Sequence, residues 1–225
     1  MRIACLHTAE SNVAVFEAAA KEIDLAAGVL SHHVRPDLLE AAERAGGLTP
    51  DIAGATASIL RELGQGADAI VLTCSTLGPS VDGLERTATV PALRVDAALA
   101  AQAVAIGGRV VALCAVETTL EPTARLFADV AGPSRTPCDV RLVPDAWARF
   151  RAGDNDGYLA AIADAAGAAY RDGASIVALA QASMAGAADL VTGVPRPLSS
   201  PTAGLGAAID AVRKRRGLFQ ARDWT

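Results

Sequence analysis

Gly66-Ala67-Asp68-Ala69-Ile70-Val71-Leu72 and Gly173-Ala174-Ser175-Ile176-Val177-Ala178-Leu179 are two versions of one apolar run, 107 positions apart. Arg2-Ile3-Ala4-Cys5-Leu6 returns at the same offset as Arg109-Val110-Val111-Ala112-Leu113, and Glu10-Ser11 keeps step with Glu117-Thr118. Two separate blocks sharing one offset indicate an internal duplication. None of these runs alternates apolar with polar, as expected of strands covered on both faces. The segments between them carry helical periodicity, for example over 51–63 and 158–171. Each half therefore reads strand, helix, strand, helix, strand, turn, helix, an order that gives a parallel sheet flanked by helices.

The expected fold is thus α/β, with two pseudo-twofold-related lobes meeting in a cleft that holds the active site. Residues 1–95 make the first lobe and 96–225 the second, and a helix over about 200–216 packs back on the first. Asp96 is expected to cap the helix over 97–106, with Gly107-Gly108 as its stop. Ligands of open parallel sheets bind beyond the carboxyl ends of the strands. Function is therefore to be sought in the residues that follow each strand.

Composition narrows the choices. Of 225 residues, 52% are apolar and 20% charged, which excludes a disordered or fibrous chain. The net charge of −5 offers no electrostatic footprint for nucleic acid. The basic run Arg213-Lys214-Arg215-Arg216 is expected to complement the negative end of a helix. The most apolar stretch, 97–116, is interrupted by Gly107-Gly108-Arg109, too early for a membrane span of about 20 residues. Residues 3–6 are too short for the apolar core of a signal peptide. The four cysteines, Cys5, Cys74, Cys114 and Cys138, form no Cys-x-x-Cys pair, so reduced thiols in the cytoplasm are expected.

Lys21 and Lys214 are the only lysines, and both sit in charged stretches. A pyridoxal phosphate enzyme needs a buried lysine for its Schiff base, so that chemistry is not expected. No cofactor is expected at all. His7, His32 and His33 pair with no acid or cysteine at metal-ligand spacing, and neighbours on a strand point to opposite faces. A metal site is therefore not expected either. Ser183 lacks both glycines of a Gly-x-Ser-x-Gly elbow, since Gln181 and Ala185 replace them, and no histidine follows residue 33.

The run 66–72 leads into Thr73-Cys74-Ser75-Thr76-Leu77-Gly78-Pro79. A thiol between a strand end and a helix start meets free backbone N–H groups and a positive dipole end, both of which favour thiolate. Ser75 and Thr76 supply hydroxyls beside it that can hold a substrate carboxylate. Cys74 is accordingly the expected acid/base group.

These residues resemble the cofactor-independent aspartate/glutamate/hydantoin racemase family. The likeness rests on the apolar run ending in Thr73-Cys74-Ser75-Thr76 after Gly66-Ala67-Asp68. It extends through His7-Thr8-Ala9-Glu10-Ser11, the Val90-Pro91 run carrying Arg94 and Asp96, and Cys114-Ala115-Val116-Glu117-Thr118-Thr119, which is similar to the family's Ala-Thr-x-x-Thr loop. It implies two α/β lobes, a small-molecule carboxylate substrate, no pyridoxal phosphate, and a homodimer. It also implies a second cysteine at the equivalent strand end of the second half. The offset of 107 puts that position at Gln181, which does not titrate but can donate hydrogen bonds.

Three functions remain open from the sequence. The first is an amino-acid racemase or isomerase working through Cys74 and a second group, for which Cys114, Glu117 and His7 are candidates. The second is a single-cysteine decarboxylase or lyase on the same scaffold, and the third a carboxylate-binding protein with a degenerate site. Thr76, Thr118, Thr119 and Ser183 are the expected carboxylate contacts, with His7, Ser75, Glu117 and Gln181 completing the substrate-binding set. Arg94 is either a hold for a second carboxylate or an ion-pair partner between lobes.

Overall fold

Short runs of buried apolar residues set the central strands, and amphipathic segments between them return the chain to the same edge each time. The computed structural model describes residues 1–84, 87–132 and 134–222. In the first half the order is β1 (Ile3–His7), α1 (Ser11–Glu22), β2 (Leu30–Val34), α2 (Pro36–Arg44), α3 (Pro50–Gly64), β3 (Ala69–Leu72), β4 (Ala92–Arg94) and α4 (Val95–Ile106). The second half continues with β5 (Val110–Cys114), α5 (Leu120–Ala131), β6 (Cys138–Leu142), α6 (Ala146–Arg151), α7 (Asn155–Arg171), β7 (Ile176–Leu179), β8 (Leu198–Ser199) and α8 (Ser200–Arg222).

The strands form two four-stranded sheets in the orders β2-β1-β3-β4 and β6-β5-β7-β8, and every pairing is parallel. Two compact units result. Unit 1 holds residues 1–95 and the stretch from Gly204 onward, and unit 2 holds residues 96–203.

Each central strand is buried on both faces. In unit 2, Val111 and Leu113 pack with Tyr158 and Ile162 of α7, whereas Val110 and Ala112 pack with Phe127 of α5 and Leu99 of α4. Alternate side chains leave a strand on opposite faces, so one five-residue run serves two cores. In unit 1, Leu6, Ile70 and Leu72 pack with Leu38 of α2 and Leu60 of α3. Each such fully buried side chain stabilises the fold by about 1.5–3 kcal/mol.

Local chemistry sets the helix ends. Thr49 Oγ1 accepts from the Ile52 N–H at 3.4 Å ahead of Pro50 in α3, and Asp154 Oδ1 accepts from the Gly157 N–H at 3.0 Å at the start of α7. Gly107 and Gly108, at φ +85 and +80, end α4 in the left-handed region that glycine occupies without strain.

Two local expectations give way. Asp96 does not precede α4: β4 runs straight into that helix at Val95, and Asp96 Oδ1 accepts from the Ala97 N–H at 2.9 Å within the first turn. The basic run does not close a helix, because α8 continues to Arg222. Arg216 instead pairs with Asp68 at 3.0 Å and Arg215 donates to the Thr89 carbonyl, both in unit 1. Among the described residues, no helix is long and apolar enough to cross a membrane.

Candidate active site

In unit 1 the carboxyl ends of β1, β3 and β4 carry Thr8, Thr73-Cys74-Ser75-Thr76 and Arg94. The Thr73 N–H still donates to the Leu6 carbonyl at 3.1 Å, extending the ladder one residue past β3. Cys74 then turns off the sheet and is half-buried. Its sulfur receives hydrogen bonds from the Thr8 and Thr76 side chains and from the backbone of Leu77 and Thr76. All of these favour the thiolate, but burial is the larger influence and leaves the thiol above its ordinary pKa. The dipole expected from sequence is missing for a structural reason: Cys74 leads into a four-residue 3₁₀ turn, Gly78–Val81, too short to build a macrodipole.

Arg94 closes this loop from the side. A Cβ at position 78 would lie 2.5–2.8 Å from three atoms of its guanidinium, so only glycine lets the charge rest on the backbone there. Arg94 Nη1 is 3.7 Å from Asp82 Oδ1, which places its carboxylate partner within its own unit.

His7 ends β1 with no exposed surface. It meets Phe16 of α1 edge-on with ring centroids 5.1 Å apart. Burial, and after it the charges of His32 and His33, lower its pKa to about 4. It is therefore a neutral interior group.

In unit 2 the corresponding loops follow β5 and β7. Gln181 uses both ends of its amide internally: Oε1 accepts from the Ala115 N–H at 2.7 Å and Nε2 donates to Thr119 Oγ1 at 2.8 Å. Thr119 in turn donates to the Val116 carbonyl at 2.6 Å. Ser183 shares a 2.8 Å hydrogen bond with the Tyr158 hydroxyl, whose pKa burial pushes up to about 12. Cys114 is fully buried, and burial raises its thiol against the opposing influence of hydrogen bonding with the Thr123 and Thr119 side chains. Glu117 and Thr118 stand exposed on the 3₁₀ turn before α5.

A model of the Asp/Glu/hydantoin racemase family matches residues 6–208 of this sequence. The chain belongs to that family. Among solved structures it is similar to allantoin racemase from Pseudomonas fluorescens (21% identity, TM-score 0.63, 95% of this chain and 91% of that one). It is also similar to aspartate racemase from Picrophilus torridus (12%, 0.66, 94% and 93%) and to an arylmalonate decarboxylase (20%, 0.62, 94% and 92%). At these identities the likeness concerns the fold. No curated protein matches it in sequence.

In this racemase-family chain, Cys74 and Thr76 of the sequence-derived set meet in unit 1, with half-buried Ser75 between them in the loop, and Gln181 and Thr119 meet in unit 2. His7 is turned into the interior, and Ser183 is tied to Tyr158. Thr8 was missed as a partner of the thiol. The available signal was its place directly after β1, beside the strand that delivers Cys74. A surface hollow of unit 1, about 480 Å³ and lined by Met1, Arg2, Gln65 and Asp68 among others, lies at the amino ends of the strands. Parallel sheets do not build their reaction sites at that end.

Proposed function

We propose that this protein moves a proton at the α-carbon of a small carboxylate through the thiol of Cys74. What supports the reading is the sulfur's setting: half-buried at the carboxyl end of β3, with Thr8, Thr76 and two backbone groups directed at it. In the abstraction direction the Cys74 thiolate takes the α-proton and becomes a thiol. The C–H electron pair delocalises into the carboxylate as an enediolate. In the return direction the thiol gives that proton back to carbon. The proposed reaction needs no pyridoxal phosphate, because the thiol does the proton transfer itself.

Two observations favour proton delivery to one face, as in a single-thiol lyase or isomerase. Gln181, at the position equivalent to Cys74, cannot titrate, and both ends of its amide are already engaged within unit 2. The raised pKa of Cys74 also suits a neutral thiol acting as the acid. Two-base racemisation, with inversion at the α-carbon, remains the second reading.

Incubation in deuterated water with a panel of small carboxylates tests both. Label at the α-carbon without inversion is expected for one-sided chemistry, and label with inversion supports the two-base reading. Binding without label in every case defeats the proposal. A neutral thiol acid further gives a rate that is flat through neutrality and falls above the thiol pKa, whereas thiolate abstraction gives the mirrored rise.

A further inference from the structure

A second cluster of reactive side chains lies in unit 1 on the face of the sheet covered by α1. Cys5 and His7 are two residues apart on β1 and so share a face, and the parallel register sets His32 of β2 directly beside Cys5. The Cys5, His7 and His32 ligand atoms lie within 4.8 Å of one another. His7 Nε2 and His32 Nδ1 face each other at 2.9 Å.

The outer nitrogens of both rings are held by oxygen. His7 Nδ1 is 2.9 Å from Thr73 Oγ1, and the Thr73 hydroxyl donates to the Leu6 carbonyl at 3.0 Å. With its only proton spent there, Thr73 Oγ1 accepts from His7 Nδ1–H, which makes His7 Nε2 a lone pair. His32 Nε2 is 3.0 Å from Glu17 Oε1, and a carboxylate accepts. A neutral His32 then presents its Nδ1 lone pair inward. Two acceptors thus point at each other, and a cation between them removes the conflict. Histidines that ligate a metal show the same pattern, each fixed from behind by a carboxylate or other oxygen.

We propose that Cys5, His7 and His32 form a binding site for one Zn²⁺-class cation, with Glu17 and Thr73 orienting the two imidazoles. A thiolate and two imidazoles are a donor set that suits Zn²⁺, with water in the fourth position. Tetrahedral geometry asks for about 3.3 Å between the two nitrogens, a few tenths more than they show, which small ring rotations supply. On binding, the Cys5 proton leaves to solvent. The two imidazole protons stay on the outer nitrogens, toward Thr73 and Glu17. The cation reaches the site from the side of Glu17 and His32, whose side chains are 44% and 15% exposed.

The test is titration of the chelator-treated full chain with Co²⁺, a spectroscopic stand-in for Zn²⁺. A single equivalent is expected to give a thiolate-to-cobalt charge-transfer band that Zn²⁺ then displaces. The band should vanish in Cys5→Ser and persist in Cys74→Ser. Glu17→Gln, on a half-exposed side chain, should weaken binding by about 10–100-fold and decides the matter if Cys5→Ser does not fold. Absence of stoichiometric binding would mean the histidines share only a proton, and a band surviving Cys5→Ser would place the metal elsewhere. Either result overturns the site, as does unchanged affinity in Glu17→Gln. The readout is binding, so it stands apart from the outcome at Cys74.

Discussion

The two units share a backbone and differ in what hangs from it. Asp68 N–H donates to the Arg2 carbonyl and Ser175 N–H to that of Arg109, both at 2.8 Å. Thr73 N–H donates to Leu6 O at 3.1 Å and Ala180 N–H to Leu113 O at 3.0 Å. Yet at the equivalent strand ends unit 1 carries His7, Thr8, Thr73, Cys74 and Thr76 where unit 2 carries Cys114, Ala115, Ala180, Gln181 and Ser183. Titrating and hydroxyl-bearing side chains are concentrated on one copy. In the other, an amide satisfies the backbone: Gln181 binds the very Ala115 N–H that the strand end leaves open. A duplicated scaffold preserves its ladder while its two sites diverge, since fold and site answer to different residues.

That asymmetry can be broken in three ways, in descending order of effect. Cys74→Ala should lower kcat by about 10²–10⁴-fold, the usual loss on removing a general acid/base, with folding intact by circular dichroism. Cys114→Ala should leave kcat within a few-fold, since that thiol is sealed in the unit 2 sheet. Equal losses in the two variants would show that both copies work.

The second test is acid stability. His7 binds protons at a pKa of about 4 when folded against an ordinary 6.5. Between those values the unfolded chain takes up a proton that the folded one refuses, so stability falls as pH drops from 6.5 toward 4. The loss reaches about 3 kcal/mol in chelator-treated protein followed by denaturant unfolding. His7→Leu should flatten that slope. Cys114, its counterpart in unit 2, has a raised thiol and contributes nothing in this window.

The third and smallest effect is expected of Gln181→Leu, which strips the Ala115 N–H of its partner. A buried unpaired donor costs about 1–3 kcal/mol, read as a lower midpoint in urea with an unchanged slope. An unaltered midpoint would show that water takes over the amide's role.

Much of the scaffold was legible because it depends on local signals. The offset of 107 read from two apolar runs recurs in β1 and β5 and in β3 and β7, whose positions follow from continuous burial. Cys74 was legible for the same reason, as a polar interruption directly after such a run. What escaped the sequence depends on contacts across the sheet. Cys5 and His32 are far apart along the chain, and only the parallel register of β1 and β2 makes them neighbours. Gln181 looked available because its partners, Ala115 and Thr119, arrive on another strand-end loop. The raised thiol of Cys74 depends on how deeply neighbouring loops cover it, and its dipole on a helix that turns out to be a short 3₁₀ segment.

Unit 1 is interrupted in sequence: the chain leaves it after Val95 and rejoins it at Gly204. The two points touch, since a Cβ at Gly204 would come within 2.5 Å of Val95 Cγ1. During synthesis from the amino end, residues 96–203 therefore emerge entire before the earlier portion receives its closing helix. The later-encoded unit can thus be the first to finish, while the one bearing Cys74 waits for its final piece.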